Sequence, residues 1–120
     1  MDATIYYNPS CSKSRHALET LREAGAEVNV VEYLTDTPSK DELRKLFASA
    51  GLTARDAIRT GEPEYARLGL DDADDEALLE AMVAHPSLIQ RPLVVTEGAV
   101  VMARTKESID AMIRGLSAHE

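Results

Sequence analysis

Cysteine occurs once in this 120-residue sequence, at position 11. A single thiol excludes an internal disulfide framework and any zinc site built from several cysteines. Basic residues are outnumbered, 13 against 21 acids, for a formal net charge of −8. General affinity for nucleic acid or an anionic membrane surface needs a basic face, so neither is expected as a partner. No apolar run approaches the length that crosses a bilayer. Met1-Asp2-Ala3 carries no basic segment and no long apolar stretch follows, so no secretory signal is expected and the expected location is cytoplasmic. Repeats, low-complexity tracts and linkers rich in proline, glycine or serine are missing as well, which points to one domain. A chain of this length hides roughly two thirds of its unfolded surface, enough for a core without staples.

What acidity there is lies unevenly. Residues 71–80 hold six acids (Asp71, Asp72, Asp74, Asp75, Glu76 and Glu80) and no base. Without them 15 acids face 13 bases, so the overall sign does not exclude a local anion site.

Periodicity orders the chain as follows. Thr4-Ile5-Tyr6-Tyr7 is β-branched and aromatic, a predicted strand. Apolar residues then recur at Ala17, Leu18, Leu21 and Ala24, ahead of a Gly25 stop, which predicts an amphipathic helix of about three turns. Val28 to Tyr33 reads as a second strand, so the first two strands should be parallel, joined by a helical crossover. Ser39-Lys40-Asp41-Glu42 has the form of a capping box ahead of Leu43, Leu46, Phe47 and Ala50. Short helical turns are expected between Thr53 and Gly69, and a firmer helix from about Asp74 to Ala84, ended by His85-Pro86. Leu93 to Thr96 and Ala99 to Ala103, around Glu97-Gly98, read as an antiparallel hairpin. A last helix begins near Thr105 and offers Ile109, Met112, Ile113 and Leu116 to the core. The order is β-α-β, helical pieces, then β-β-α: an α/β domain with a mixed sheet.

Cys11 falls in the turn that leads from the first strand into the first helix. Stepping back from Leu21 at helical spacing gives Leu18, Ser14 and Cys11, which sets the thiol over the core-facing side of the helix start. Ligand sites of open α/β sheets gather at the carboxyl ends of parallel strands, which is this loop. Free amides and the positive helix end stabilise a thiolate there, and amides at such a terminus also bind oxyanions. Lys13 and Arg15 add positive charge, and Ser10, Ser12 and Ser14 add donors. Lone intracellular cysteines are usually small buried hydrophobes, but this position favours nucleophilic or redox use. Ser14 stands where a dithiol oxidoreductase needs a second cysteine, and Ala17 where a tyrosine-phosphatase-like loop needs arginine. Disulfide chemistry at Cys11 must therefore borrow a thiol from another molecule.

Asn8-Pro9-Ser10-Cys11-Ser12-Lys13-Ser14-Arg15 resembles the N-P-x-C-x-x-S-R signature of the glutaredoxin-linked arsenate reductase family, the ArsC-like proteins of the thioredoxin-fold superfamily. His85-Pro86-Ser87-Leu88-Ile89-Gln90-Arg91-Pro92-Leu93-Val94-Val95 is similar to the family's H-P-x-L-I-x-R-P-[IL]-V-V block. Ala57-Ile58-Arg59 with the following Glu64 to Leu70 resembles its middle arginine segment, and Arg104 falls where the family has a third arginine. The resemblance implies a thioredoxin-like fold with a mixed four-stranded sheet, in one domain over residues 1–120 with a helical insertion at about 39–90. It implies a Cys11 thiolate that attacks arsenate, Arg59, Arg91 and Arg104 as oxyanion ligands, and a cis bond at Arg91-Pro92. It further implies no bound cofactor and no metal, glutathione as external reductant, and glutaredoxin as the partner that clears the mixed disulfide. Arginine suits the role because it stays charged and forks onto oxyanions.

The Cys11-Ser12-Lys13-Ser14-Arg15 run marks a branch that differs from members with Gly-Thr or Gly-Ser after the cysteine, and Tyr7 stands where several carry histidine. Two alternatives stay open: a related thiol oxidoreductase with another substrate, and a redox-sensitive transcriptional regulator like the Spx proteins. Ser14 in place of a second cysteine and the full arginine set weigh against the regulator. Arg15 is a candidate support for the loop. His16 should point outward from its helix, His85 should meet a helix C-terminus, and His119 lies in the tail; their spacing suggests no metal site.

Overall fold

The computed structural model describes residues 2–116. The chain divides into two compact units: the described residues of Met1–Asp36 and Arg91–Glu120 form one, and Thr37–Gln90 the other.

The first unit is built on four strands: β1 (Asp2–Tyr6), β2 (Glu27–Val31), β3 (Leu93–Thr96) and β4 (Val100–Met102). Their order is β2-β1-β3-β4. β1 runs parallel to β2, with Ile5 opposite Val30, and antiparallel to β3, with Ile5 opposite Val94. β3 and β4 form the hairpin that the sequence predicts. Helix α1 (Ser12–Glu23) makes the crossover from β1 to β2, and Gly25 ends that turn at φ +86°, a conformation open to glycine without strain. Helix α6 (Lys106–Leu116) closes the unit. The core gathers Ala3 and Ile5 of β1, Ala17, Leu18 and Leu21 of α1, Val94 of β3, Ala103, and Met112 and Leu116 of α6. Fully burying a large aliphatic side chain contributes roughly 1.5–3 kcal/mol. Ile109 and Ile113 only flank this core, since α6 turns those positions toward its margin.

Gly115 marks a close contact between α6 and the hairpin. A Cβ there would stand 2.2 Å from Thr96 Oγ1 and 3.0 Å from Ala99 Cβ. Thr96 is buried and β-branched, its hydroxyl donates to the Ala99 carbonyl at 3.2 Å, and the Gly98 amide donates to the Gly115 carbonyl at 3.1 Å. Gly115→Ala is expected to destabilise the fold by about 1–3 kcal/mol, visible as a lowered thermal midpoint. An unchanged midpoint would show that the hairpin yields freely here.

The second unit is helical: α2 (Lys40–Ser49), α3 (Ala54–Ala57), α4 (Pro63–Arg67) and α5 (Asp75–Ala84), with single 3₁₀ turns at Leu70–Asp72 and Pro86–Leu88. Ser39 caps α2 by accepting from the Glu42 amide at 3.2 Å. A reciprocal capping box closes one helix later, where Thr53 and Asp56 satisfy each other's amides. Asp74 caps α5, and Asp75 and Glu76 occupy its first turn as the helix dipole favours. Lys40 meets Glu76 at 2.7 Å and Glu80 at 3.2 Å, and Arg44 meets Glu76 at 2.6 Å. Part of the acidic run is thus neutralised within its own unit. Ile58 and Ile89 form an isolated antiparallel bridge, extended by the Arg59 amide donating to the Leu88 carbonyl at 2.8 Å.

Candidate active site around Cys11

β1 delivers the chain to the Asn8–Arg15 loop, and the loop is held by its own short bonds. The Asn8 side chain accepts from the Ser10 amide at 3.0 Å, and the Asn8 carbonyl accepts from the Cys11 amide at 3.0 Å. Arg15 donates to the Pro9 carbonyl at 2.8 Å, which is the loop support expected of it. Cys11 occupies the N-cap position of α1 in an extended conformation, and its carbonyl accepts from the Arg15 amide at 3.1 Å. Only 7% of the Cys11 residue is exposed.

Burial disfavours the Cys11 thiolate, and four interactions outweigh it. The Ser14 amide and hydroxyl donate to the sulfur, the Arg91 guanidinium lends its charge, and the Lys13 amide donates as well, so the thiol falls from 9.0 to about 7. Ser14 is fully buried. Its oxygen accepts from the Asn8 amide at 3.4 Å, which leaves the hydroxyl proton for the sulfur. The sequence places Ser14 on the inward row of α1 only as one donor among three serines. A polar residue in an otherwise apolar row, one turn from a cysteine, is the signal that singles it out.

Arg91 and Arg104 come to the same place. The Arg91-Pro92 bond is cis, as the motif leads one to expect. The Arg104 guanidinium donates to the Arg91 carbonyl at 2.6 Å, the Ala103 amide donates to the Pro92 carbonyl at 2.9 Å, and Lys13 Nζ donates to the Arg104 carbonyl at 3.1 Å. Residues 13, 91 and 104 are thereby tied to one another, and the Arg91 charge acts on the thiol. Arg91 Nε is buried with no hydrogen-bond partner, an unsatisfied donor of the kind that an oxyanion oxygen would satisfy. Arg59 belongs to the helical unit, where its guanidinium pairs with Glu62 and donates to the Ser87 carbonyl at 3.4 Å. His16 is exposed on α1, and His85 is the C-cap of α5. His119 lies outside the described residues. Among the described residues no cluster of histidine, cysteine, aspartate and glutamate could hold a metal ion, and no helix is long and apolar enough to cross a membrane.

A lowered thiol at a helix start, with the Arg91 charge acting on it and an unsatisfied guanidinium donor on the same arginine, can attack an electrophilic oxyanion and hold its charge. The family profile described as ArsC family matches residues 6–112. The chain belongs to the ArsC family. Among ArsC relatives, an arsenate reductase of Rhizobium meliloti is 48% identical over 111 residues, covering 91% of this chain and 79% of that protein. An arsenate reductase of Neisseria meningitidis is 42% identical over 112 residues, covering 91% of this chain and 96% of that one. The solved structure of an arsenate reductase from Vibrio cholerae superposes with a TM-score of 0.85 at 39% identity, covering 97% of this chain and 98% of the other. The mixed four-stranded sheet is therefore the thioredoxin-like ArsC fold.

Proposed function

We propose that this chain reduces arsenate to arsenite, with Cys11 as the nucleophile and glutathione and glutaredoxin as the source of electrons. The observation that carries the reading is the lowered Cys11 thiol against the buried, unsatisfied Arg91 Nε. Relatives named arsenate reductases, matched over 79% and 96% of their own length, support the substrate.

The steps follow from the residues present. The Cys11 thiolate attacks arsenic(V), a sulfur–arsenic bond forms, and one arsenate oxygen leaves as water after taking up protons. Arg91 and Arg104 neutralise the oxyanion as it approaches and hold the charge that develops. A glutathione thiolate then attacks the Cys11 sulfur. The sulfur–arsenic pair departs on arsenic, which becomes arsenic(III) and leaves as arsenite, while two thiols have become one Cys11–glutathione disulfide. Glutaredoxin attacks the glutathione sulfur of that disulfide and returns Cys11 as thiolate. The second thiol comes from outside because the chain has no other cysteine. Arg59 enters the oxyanion set from the sequence match alone. The reading treats residues 1–120 as one thioredoxin-like domain with 39–90 as its helical insertion, working in the cytoplasm without a bound cofactor.

Arsenate-dependent NADPH oxidation in the presence of glutathione, glutathione reductase and glutaredoxin tests the coupling. The expected rate disappears when either glutathione or glutaredoxin is left out. A full rate with thioredoxin and its reductase, and no glutathione, would overturn it.

A further inference from the structure

Lys13 is the second residue of α1, and the sequence offers it only as added charge near the thiol. Its two donor groups do different things. The backbone amide donates to the Cys11 sulfur, while the side-chain Nζ donates to the Arg104 carbonyl at 3.1 Å, across 91 residues of chain. Nothing in the proposed chemistry uses that second bond.

The ammonium is not half of a surface ion pair. Among the described residues, Lys40, Arg44, Arg59 and Lys106 meet carboxylates, and Lys13 meets none. The carbonyl that it holds belongs to a residue standing between β4 and α6, in neither element. The Arg104 amide donates to the Met102 carbonyl at 3.0 Å, and its guanidinium donates to the Arg91 carbonyl at 2.6 Å. Lys13 supplies the bond that ties Arg104 to the helix of the thiol. A guanidinium carries several N–H groups, so the bond to Arg91 leaves donors for an oxyanion.

These contacts close a ring within the sheet-bearing unit. The sulfur meets the Lys13 amide, the Lys13 ammonium meets Arg104, Arg104 meets Arg91, and the Arg91 charge acts back on the sulfur. An exposed bond of this kind adds little to stability, whereas a small misplacement of a substrate-holding group is costly. We propose that Lys13 is a positioning residue for oxyanion binding, its ammonium fixing the Arg104 main chain so that the guanidinium keeps its place against Arg91. This rests on Arg91 and Arg104 as oxyanion ligands, and not on the reduction that follows.

Alkylation of Cys11 by iodoacetamide tests it, with arsenate as the probe and no thiol reductant present. Arsenate held by the arginines shields the sulfur, so the concentration that halves the alkylation rate measures oxyanion binding. Lys13→Met keeps an unbranched stem and the backbone amide but loses the ammonium. It is expected to raise that concentration on the order of tenfold, and Lys13→Arg, which retains a charged donor, to restore most of the binding. Without arsenate, the alkylation midpoint of Lys13→Met is expected to stay near pH 7, because the amide at the sulfur and the Arg91 charge remain. Added potassium chloride separates position from charge. The difference between wild type and Lys13→Met is expected to persist as salt rises, since screening weakens long-range attraction and not a bonded geometry. An unchanged shielding concentration, a difference that vanishes with salt, or a midpoint that moves with it overturns the role. Failure of arsenate to shield the wild type overturns the oxyanion site and the role together. Shielding that depends on Lys13, with no turnover once glutathione and glutaredoxin are supplied, keeps the role and overturns the reduction.

Discussion

Cys11→Ser is expected to abolish arsenate-dependent NADPH oxidation, a loss of roughly 10³-fold or more, while the protein stays folded. The serine oxygen takes the sulfur's place at the N-cap, and the backbone bonds through the Cys11 amide and carbonyl are untouched. A hydroxyl at the same position stays protonated where the thiol is half ionised near pH 7. It also cannot form the sulfur–arsenic bond or the mixed disulfide that the two later steps consume. A thermal midpoint within a few degrees of wild type, beside a rate at the level of the protein-free mixture, is the expected pair of results. Equal rates for the two proteins would remove Cys11 from the chemistry.

Arg91→Ala is expected to act twice. Loss of an oxyanion donor at a site of this kind lowers kcat/KM by about 10²–10³-fold. Loss of its charge also moves the thiol up from about 7 toward 9.0, since Arg91 is one of the groups that hold it down. Ser14→Ala moves the thiol the same way through the lost hydroxyl donor, but leaves the guanidinium for the substrate. The pair separates thiolate activation from oxyanion binding. Iodoacetamide alkylation followed against pH reads the first, with a wild-type midpoint near 7 and higher midpoints in both variants. The KM for arsenate reads the second, raised in Arg91→Ala far more than in Ser14→Ala. The sign for stability follows from the lowered folded value. The contribution of this group is fully present above the unfolded thiol's 9.0 and is lost as pH falls through about 7. A midpoint that does not move in either variant would show that the helix start alone activates the thiol.

Local pattern was enough for much of the site. The N-P-x-C-x-x-S-R run is contiguous, and its loop is held by bonds spanning at most six residues, such as Asn8 to Ser14 and Arg15 to Pro9. The helices were legible where apolar residues recur on one face, as at Ala17, Leu18 and Leu21, and where caps are polar, as at Ser39 and Asp74. The arginines were not legible in that way. Nothing near Arg104 in the chain says that its guanidinium ends on the Arg91 carbonyl, and nothing near Lys13 says that its ammonium reaches a carbonyl 91 residues away.

The net charge illustrates the same division. Composition alone argued against a general polyanion as partner, and the position of six acids in residues 71–80 could be counted directly. Pairing decided the rest: Glu76 and Glu80 meet Lys40 and Arg44 within the helical unit, while Lys13 bonds to Arg104, Arg104 to Arg91, and the Arg91 charge acts on the thiol. By itself the sequence determined the candidate nucleophile, its place at the start of a helix and the absence of a second thiol, because each depends on residue type and short spacing. Tertiary structure alone decided that Ser14 points its hydroxyl at the sulfur, that β3 lies between β1 and β4, and that the Arg104 guanidinium ends on the Arg91 carbonyl. Those are long-range contacts, set by which faces of the sheet and helices bury together.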